Sequence, residues 1–436
     1  PPGSAGRPPV ARAAWVAGGG LHVMTGKAGR TVKVPLAPGQ LALDPSWSPD
    51  GRWLAYLVGQ QSASGPGSAG YGPTPTGPYQ LRVVRGDGTG DHQVFTSADY
   101  FASVQWSPTA DVLAVVPTTA KGASQGLVLV GLGGTTHRLL ADTTLVGSVV
   151  WSRDGRVLAY ATPVGMGTSQ RSSLVFTIPA SGGHPTRVPY SPPAGSSVLL
   201  AGWWPDGKGL LAWTDPLGSA SIGADGLPLT AVPIAGGPAH VLATTLEFLP
   251  WVTWSPDGRH LLIVEGSGRS PAKAKTLALC QPGTWTCKQL AQPAGTVSLD
   301  PTWSPDGSHI AFVRAKEASS LSACFASRRL WVANADGSGA HPVGPVTPPG
   351  LSAQQMVSMG SGVTQPAWAP DGSTLSYSTG GAVVRVNLDA SGSLVLASAL
   401  SGPGAGKVGP DAYGKSPWRG VATWDTSPGT AGTGPR

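Results

Sequence analysis

The sequence has little charge. Of its 436 residues, 29 are Lys or Arg and 22 are Asp or Glu, so charged residues make up 12% of the chain, about half the usual share. Disordered chains owe their disorder to a high content of charged and polar residues, and this chain does not have that composition. No apolar run reaches the roughly 18 residues that a membrane-spanning helix needs. The composition therefore indicates a folded chain without a transmembrane segment.

Catalytic and nucleic-acid-binding signals are also scarce. Only three glutamates occur, at Glu247, Glu265 and Glu317, and no carboxylate pair is visible in the sequence, although a paired-carboxylate glycosidase stays open. The basic residues form no Lys/Arg run and no recognition module, which argues against a nucleic-acid partner. The chain begins with Pro1 rather than Met, and we expect a preceding signal peptide, lipid anchor or transmembrane helix to have been removed.

Only three cysteines are present. Cys280 and Cys287 flank the segment QPGTWT, which is typical of a hairpin tip, and two strands that face each other across a short turn can meet disulfide geometry. We predict a Cys280–Cys287 disulfide and hence an oxidising compartment. Cys324 is then left single, although its pairing with either of the other two stays open.

Glycine, proline and tryptophan are abundant instead. The chain contains 63 Gly, 43 Pro and 16 Trp, which is typical of many short strands joined by tight turns. A motif close to WSPDG, followed by a short apolar run, recurs seven times at spacings of 45–65 residues. Its tryptophans are Trp47, Trp106, Trp151, Trp203, Trp254, Trp303 and Trp368.

Each repeat has the length of four strands. The residues up to the tryptophan predict strand a, and the apolar run predicts strand b. Pro-Asp-Gly forms the turn between them, because Pro restricts φ, Asp can bond its own backbone and Gly tolerates positive φ. Strands c and d follow around a second Gly-rich turn. Four antiparallel strands repeated around an axis predict an all-β fold, the β-propeller, with the tryptophans packed between its blades.

The two ends of the chain indicate how the ring closes. Residues 13–36 contain three predicted strands that correspond to b, c and d, whereas the C-terminal GVATWDTSPG, with Trp424, resembles a strand a. We therefore expect eight blades, one of them shared by both ends, with seven blades as the alternative. Residues 13–425 are predicted to form a single propeller domain, between a flexible tether (1–12) and a flexible tail (426–436).

The WSPDG motif and its apolar strand resemble the repeat of the TolB-like (WD40-like) propeller family over almost the whole chain. The Gly-His…Trp-Asp pair of true WD repeats does not recur. The resemblance implies a secreted or envelope-associated binding module. Related propellers accompany the α/β-hydrolase domain of prolyl oligopeptidases, for which the repeats leave no room in this chain, and some TolB-like propellers are polysaccharide lyases that use His and a metal.

Residues that could carry chemistry are spread around the predicted ring. Seven of the eight histidines follow a predicted a–b or c–d turn, and equivalent positions in different blades lie far apart. A metal or acid–base site needs side chains that converge. The aspartates of the repeated motif are interpreted as turn formers. We predict no catalytic residue, no metal site and no cofactor.

The longest predicted loops lie on one face of the propeller. The b–c and d–a connections share this face, which we call the loop face, and loops on a rigid scaffold are where binding sites concentrate. Aromatic and Met residues, which interfaces favour, gather there. The predicted binding residues are Tyr71, Tyr79, Tyr100, Phe101, Tyr190, Phe248, Trp251, Met356, Met359, Tyr413 and Trp418.

These observations favour a non-enzymatic protein-binding scaffold that acts outside the cell or in the cell envelope. Two alternatives stay open: a carbohydrate-binding or polysaccharide-lyase propeller, and a structural component of a surface assembly. A local excess of basic residues could favour an anionic cell-wall polymer, a glycan or phospholipid headgroups as a further partner. Those residues are Arg269, Lys273, Lys275, Lys288, Arg314, Lys316, Arg328 and Arg329.

Overall fold

The chain forms a ring of eight four-stranded antiparallel sheets, so the predicted eight-bladed β-propeller is confirmed. The computed structural model describes residues 12–17, 19–25, 30–61, 75–164, 172–216, 226–268, 270, 272–319, 323–324, 327–344, 366–379, 382–388, 393–397 and 422–425. Within them, the strands of each blade are joined in the order a, b, c, d from one edge of the sheet to the other. First strands of neighbouring blades contact one another, which places strand a at the centre of the ring.

The strands are numbered in chain order. Blade 1 contains β1 (Arg12–Ala17), β2 (Gly20–Thr25), β3 (Arg30–Lys33) and β32 (Ala422–Asp425), and blade 2 contains β4 (Gln40–Trp47), β5 (Trp53–Gln61), β6 (Pro75–Arg85) and β7 (His92–Ser97). Blade 3 contains β8 (Ser103–Trp106), β9 (Val112–Val116), β10 (Leu127–Gly131) and β11 (Thr136–Leu140), and blade 4 contains β12 (Ser148–Trp151), β13 (Val157–Ala161), β14 (Val175–Pro179) and β15 (Thr186–Arg187).

Blades 5 to 8 follow the same plan. Blade 5 contains β16 (Ser196–Trp203), β17 (Gly209–Pro216), β18 (Leu227–Pro233) and β19 (His240–Thr245), and blade 6 contains β20 (Val252–Trp254), β21 (Leu261–Glu265), β22 (Thr276–Gln281) and β23 (Thr286–Gln289). Blade 7 contains β24 (Thr296–Trp303), β25 (His309–Lys316), β26 (Arg329–Asn334) and β27 (His341–Val343), and blade 8 contains β28 (Ala367–Trp368), β29 (Thr374–Thr379), β30 (Ala382–Asn387) and β31 (Ser393–Ala397). A short 3₁₀ turn, Leu249–Trp251, precedes β20.

The two ends of the chain complete one blade together. Strand β32 pairs antiparallel with β1, with Ala13 opposite Trp424 and Trp15 opposite Ala422. Blade 1 therefore takes its strand a from the C-terminal end and its strands b, c and d from the N-terminal end, as predicted. This closure removes two sheet edges that would otherwise be free to pair with other chains.

The core consists of separate apolar layers between consecutive blades. Seven hydrophobic clusters of described residues each join two neighbouring blades, from blades 1 and 2 to blades 7 and 8. Strand β9 shows why the b strands are apolar throughout: Leu113 and Val115 pack towards blade 2, whereas Ala114 and Val116 pack towards blade 4. Side chains alternate between the two faces of a strand, and both faces are buried here.

The motif tryptophans connect neighbouring blades. The indole N–H of a motif tryptophan donates a hydrogen bond to the carbonyl of the residue just before the motif tryptophan of the previous blade. This holds for Trp106 to Ser46 (3.0 Å), Trp151 to Gln105 (3.3 Å), Trp203 to Val150 (3.1 Å), Trp303 to Thr253 (3.3 Å) and Trp368 to Thr302 (3.5 Å). These hydrogen bonds link the innermost strands of successive blades, and they add to the apolar packing of the indole side chains.

The a–b turns are held by a repeated side-chain network. The Ser304 hydroxyl donates to Asp306 (2.6 Å) and accepts from the backbone N–H of His309 (2.9 Å), while the backbone N–H of Ser308 donates to Asp306 (3.0 Å). Hydrogen bonds from Ser304 and Ser308 lower the pKa of Asp306 to about 2. The same serine–aspartate contact recurs in three other blades, at Ser48–Asp50, Ser152–Asp154 and Ser255–Asp257. These aspartates are therefore turn formers.

Candidate functional site

A cavity of about 310 Å³ lies on the loop face between blades 2 and 3. Its walls come from strands β4, β5, β6 and β8 and from the connection that leads into β8, and they include Asp44, Tyr100, Phe101 and Gln105. Leu249 also lines it, although this residue belongs to the connection between blades 5 and 6. The side chain of Leu249 thus reaches the cavity from across the centre of the ring, and it is 50% exposed.

A β-bulge in the inner strand positions Asp44 in this cavity. The register of β4 against β5 shifts between Leu43 and Ser46, and Asp44 has a φ of 46°, in the left-handed region that residues other than glycine seldom adopt. Bulges redirect a side chain out of the regular alternation of a strand. The hydroxyl of Tyr100, from the connection into β8, donates to the carboxylate of Asp44.

Blade 7 contains a second copy of this bulge. Strand β24 shifts register against β25 between Leu299 and Thr302, and Asp300 has a φ of 50°. Asp300 is buried, and the indole N–H of Trp251 donates to its carboxylate at 2.8 Å. Burial raises the pKa of Asp300, while the charge of Arg328 and the bond from Trp251 oppose this effect.

Both bulges share the sequence Leu-Asp-Pro before Ser-Trp or Thr-Trp, which no other copy of the motif has. The Leu-Asp-Pro tripeptide is visible in the sequence, but it lies before the tryptophan at which the repeated motif begins. Sequence reasoning therefore missed Asp44, and it missed Leu249 because a single loop leucine carries no pattern.

The predicted loop-face residues divide into three groups. Tyr79, Phe101 and Trp251 are buried, and Tyr100, Tyr190 and Phe248 are partly buried. Tyr79 and Tyr100 contact each other edge to face at 5.2 Å, and Phe248 and Trp251 do so at 4.9 Å. Tyr71, Met356, Met359, Tyr413 and Trp418 lie outside the described residues. Of the predicted residues that the structure describes, Tyr100 and Phe101 line the cavity, and direct contact with a partner stays a prediction for the whole set.

A second cavity, of about 640 Å³, lies between blades 4 and 5 at the a–b turns. Its charged residues already have partners in the fold. Asp154 accepts from Ser152 (2.7 Å), and Arg153 donates to the carbonyl of Pro256 in blade 6 at 3.0 Å. The loop-face cavity is lined by two of the predicted binding residues, Tyr100 and Phe101, and we therefore regard it as the stronger candidate site.

His92, His309 and His341 each begin a strand directly after a turn, as the sequence predicts. His92 contacts the carbonyls of Gly90 and Leu132, both at 2.8 Å, and His341 contacts the carbonyl of Gly339 at 2.9 Å. Among the residues that the structure describes, no group of three or more His, Cys, Asp or Glu side chains is arranged to hold a metal ion.

Residues 122–126 have the Gly-x-Ser-x-Gly spacing of a nucleophile elbow. The elbow requires a strand-to-helix turn that exposes the serine, whereas this segment connects strands β9 and β10. The Ser124 hydroxyl accepts a hydrogen bond from the backbone N–H of Val146 at 2.9 Å, and Ser124 forms a β-bridge with Thr118. The segment is therefore a structural turn.

The predicted basic surface is smaller than the sequence suggests. Arg314, Arg328 and Lys275 are buried. The ammonium of Lys275 donates to three carbonyls, of Ser267 (2.9 Å), Gly268 (3.0 Å) and Lys273 (3.1 Å), and burial lowers its pKa to about 8. The expectation that these three side chains face an anionic polymer is thus wrong, because the fold itself uses them.

The predicted Cys280–Cys287 disulfide is present. It joins facing residues of β22 and β23, and the tip of that hairpin carries Trp285. Trp285 packs against Trp204 of the neighbouring blade with ring centroids 4.5 Å apart. Cys324 is a free, buried cysteine.

Comparison with known proteins identifies the fold. A structure of prolyl endopeptidases aligns with a TM-score of 0.53 at 12% identity, over 82% of this chain and 49% of that one, so the chain spans about half the length of that protein. The chain folds as an eight-bladed β-propeller.

Two further solved structures align with lower TM-scores. A putative TolB from Agrobacterium tumefaciens aligns at 19% identity over 58% of this chain and 83% of its own, with a TM-score of 0.35. An oligogalacturonate lyase in complex with manganese aligns at 15% identity over 84% and 95%, with a TM-score of 0.48. No protein-family model and no curated protein sequence matches the chain. Within the described residues, no helix has the length and hydropathy to cross a membrane.

Proposed function

We propose that this propeller is a non-enzymatic protein-binding module of the cell envelope or the extracellular space, and that the partner docks on the loop face over the cavity between blades 2 and 3. The observation that carries the proposal is Leu249, a half-exposed leucine at the mouth of that cavity. Its neighbours there include the aromatic residues Tyr100 and Phe101.

The chemistry of this region suits a protein interface. Interfaces combine an apolar, often aromatic centre with a few polar groups that set orientation. Leu249 and Phe101 supply apolar surface at the cavity, and Asp44 and Gln105 supply polar groups. Burying the exposed part of one leucine contributes about 1 kcal/mol to association, so Leu249 would act together with neighbouring contacts.

The disulfide supports the proposed location. Disulfides persist in oxidising compartments such as the periplasm and the extracellular space, and they are rare in the reducing cytosol. The Cys280–Cys287 bond lies in an outer hairpin of blade 6. An anchored ectodomain and a secreted protein are both consistent with it.

Leu249→Asp tests the proposal. We expect this variant to fold normally, because the side chain is already half exposed, and to lose a partner captured from envelope extracts by at least about tenfold. Val241→Asp is the matched control, since Val241 is 66% exposed on the outer strand β19, away from the loop face. The proposal fails if both variants retain the same proteins as the unmodified chain.

A further inference from the structure

We propose that the cavity between blades 4 and 5, at the a–b turns, binds a short apolar peptide through its free ammonium and carboxylate ends. This site is separate from the loop face, so the inference goes beyond the proposed function. The repeat itself points to it, because each of the two a–b turns that line this cavity departs from the repeated motif.

Blade 4 carries an arginine in its a–b turn, Arg153, where the six other copies of the motif have proline: Pro49, Pro108, Pro205, Pro256, Pro305 and Pro370. Arg153 lines the cavity and extends past blade 5, since its guanidinium donates to the Pro256 carbonyl of blade 6 at 3.0 Å. That bond uses one of the five N–H groups of the guanidinium. The ion pairs between described residues do not include Arg153. Its positive charge is therefore available to an anionic group of a ligand.

Blade 5 carries Trp204 where five copies of the motif have serine: Ser48, Ser107, Ser152, Ser255 and Ser304. The ring of Trp204 packs on Trp285 of blade 6, and its indole N–H donates to the Leu210 carbonyl at 3.1 Å. Asp206 therefore has no serine hydroxyl to bind, unlike the aspartates of blades 2, 4, 6 and 7. From the described residues it accepts one hydrogen bond, from the backbone N–H of Lys208 at 3.0 Å, and the Lys208 ammonium lies 3.9 Å away. A carboxylate has about four acceptor positions, so Asp206 can accept further bonds from a ligand.

Asp154 adds a second carboxylate to the wall. The Ser152 hydroxyl (2.7 Å) and the backbone N–H of Arg156 (3.1 Å) both donate to its Oδ1 atom, and these bonds lower its pKa. Asp154 is thus ionised at neutral pH, and the described residues donate no hydrogen bond to its Oδ2 atom. The walls of the cavity therefore carry one guanidinium and two carboxylates that do not pair with each other.

The rest of the lining is largely apolar. It includes Val157, Trp203, Pro205 and Ile234. Trp203 is held in place by the hydrogen bond from its indole N–H to the Val150 carbonyl, so this part of the wall is formed before a ligand arrives. Pockets of this kind bind the apolar body of a ligand and use a few polar groups to orient it.

These features together select a zwitterionic ligand. A wholly apolar molecule would leave the charged groups without partners, an anion would meet two carboxylates, and a cation would meet the guanidinium. A short apolar peptide offers a carboxylate to Arg153, an ammonium group to Asp206 or Asp154, and aliphatic side chains to Trp203. Arginine binds carboxylates with two parallel hydrogen bonds, which adds geometric specificity. The volume of about 640 Å³ lies in the range of sites for small ligands.

Leucyl-leucine and two forms blocked at one end test the proposal. N-acetyl-leucyl-leucine lacks the ammonium group, and leucyl-leucinamide lacks the carboxylate. We expect ligand-observed NMR titration of the intact protein to show leucyl-leucine binding at least about tenfold more tightly than either blocked form. Equal binding of the three compounds, or no binding of leucyl-leucine at about 10 mM, would overturn the inference.

Arg153→Pro tests the carboxylate end of the site. Because it restores the residue of the other six copies, this variant should fold, and it should lose the preference for leucyl-leucine over leucyl-leucinamide. Arg259→Ser is the matched control: it removes the same charge from the same face, outside the cavity lining, and introduces the residue that blade 7 has at Ser308. It should leave the preference unchanged within about twofold. An Arg153→Pro variant that keeps the preference would contradict the proposal.

Asp206→Asn tests the ammonium end. The substitution removes the charge of an exposed carboxylate and keeps its shape, so the fold should be unaffected. We expect the preference for leucyl-leucine over N-acetyl-leucyl-leucine to fall at least about threefold, with Asp154 retaining part of it. An unchanged preference would show that Asp206 does not bind the ammonium group and would overturn this assignment.

Discussion

Replacing Trp203 tests how the blades are held together. This residue is 7% exposed, packs in the cluster between blades 4 and 5, and donates its indole N–H to the carbonyl of Val150 at 3.1 Å. An aromatic side chain of this size buries roughly 200 Å². At about 25 cal/mol per Å², its burial stabilises the fold by about 5 kcal/mol.

Two substitutions separate packing from hydrogen bonding. Trp203→Phe keeps most of the ring contact but leaves the Val150 carbonyl without its donor, and we expect a loss of about 1–2 kcal/mol in the free energy of unfolding. Trp203→Ala also leaves a cavity, and we expect a loss of about 3–5 kcal/mol. The two losses should fall in this order.

Urea denaturation followed by far-ultraviolet circular dichroism measures both values without depending on tryptophan fluorescence. A Trp203→Phe variant as stable as the unmodified protein would show that the indole bond contributes nothing. A Trp203→Ala variant that loses less than about 1 kcal/mol would refute the whole argument, because the inter-blade layer would then not depend on the ring.

Three further predictions concern individual contacts. Replacing Cys280 and Cys287 by Ser should lower the free energy of unfolding by about 2.5 kcal/mol, the loop-closure value for a loop of this length, and a reductant should then have no further effect in a denaturation experiment. Because the folded pKa of Lys275 lies near 8, below its usual 10.5, the unfolded chain binds more protons between these values. The free energy of unfolding of the unmodified protein should therefore rise relative to that of Lys275→Met as the pH increases from 8 to 10.5. A difference that does not change with pH would contradict this prediction. The folded pKa of Asp306 is lowered to about 2, so its small stabilising contribution is present above pH 4 and is lost as the pH falls to 2. Ser304→Ala should reduce that acid-dependent loss, which acid titration of the midpoint temperature would reveal.

Much of the fold was predictable because its signals are local and repeated. The tryptophan, the Pro-Asp-Gly turn and the apolar run each report on neighbouring residues of one hairpin, and seven copies make an accidental match implausible. The disulfide was predictable for the same reason, since Cys280 and Cys287 face each other across one short turn. Closure by β1 and β32 followed from the incomplete repeats at the two ends.

The burial of charged residues could not be predicted in this way. Lys275 and Arg328 look like surface residues in the sequence, but both are buried. The ammonium of Lys275 donates to carbonyls of the connection that precedes it, and the charge of Asp300 in strand β24 opposes the lowering of the pKa of Arg328 by burial. Such partners are distant in sequence or lie in irregular segments, and hydrophobic periodicity carries no information about them.

The sequence by itself determined the repeating unit, the number of units and the way in which the ends join, because strand and turn preferences act over a few residues and are repeated around the ring. Only the tertiary structure decided which side chains meet. Leu249 reaches the cavity of blades 2 and 3 across the ring, and Arg153 lines a second cavity together with Trp203 and Asp206 of the next blade. These relations depend on contacts between segments far apart in the chain, and it is ring closure that brings those segments together.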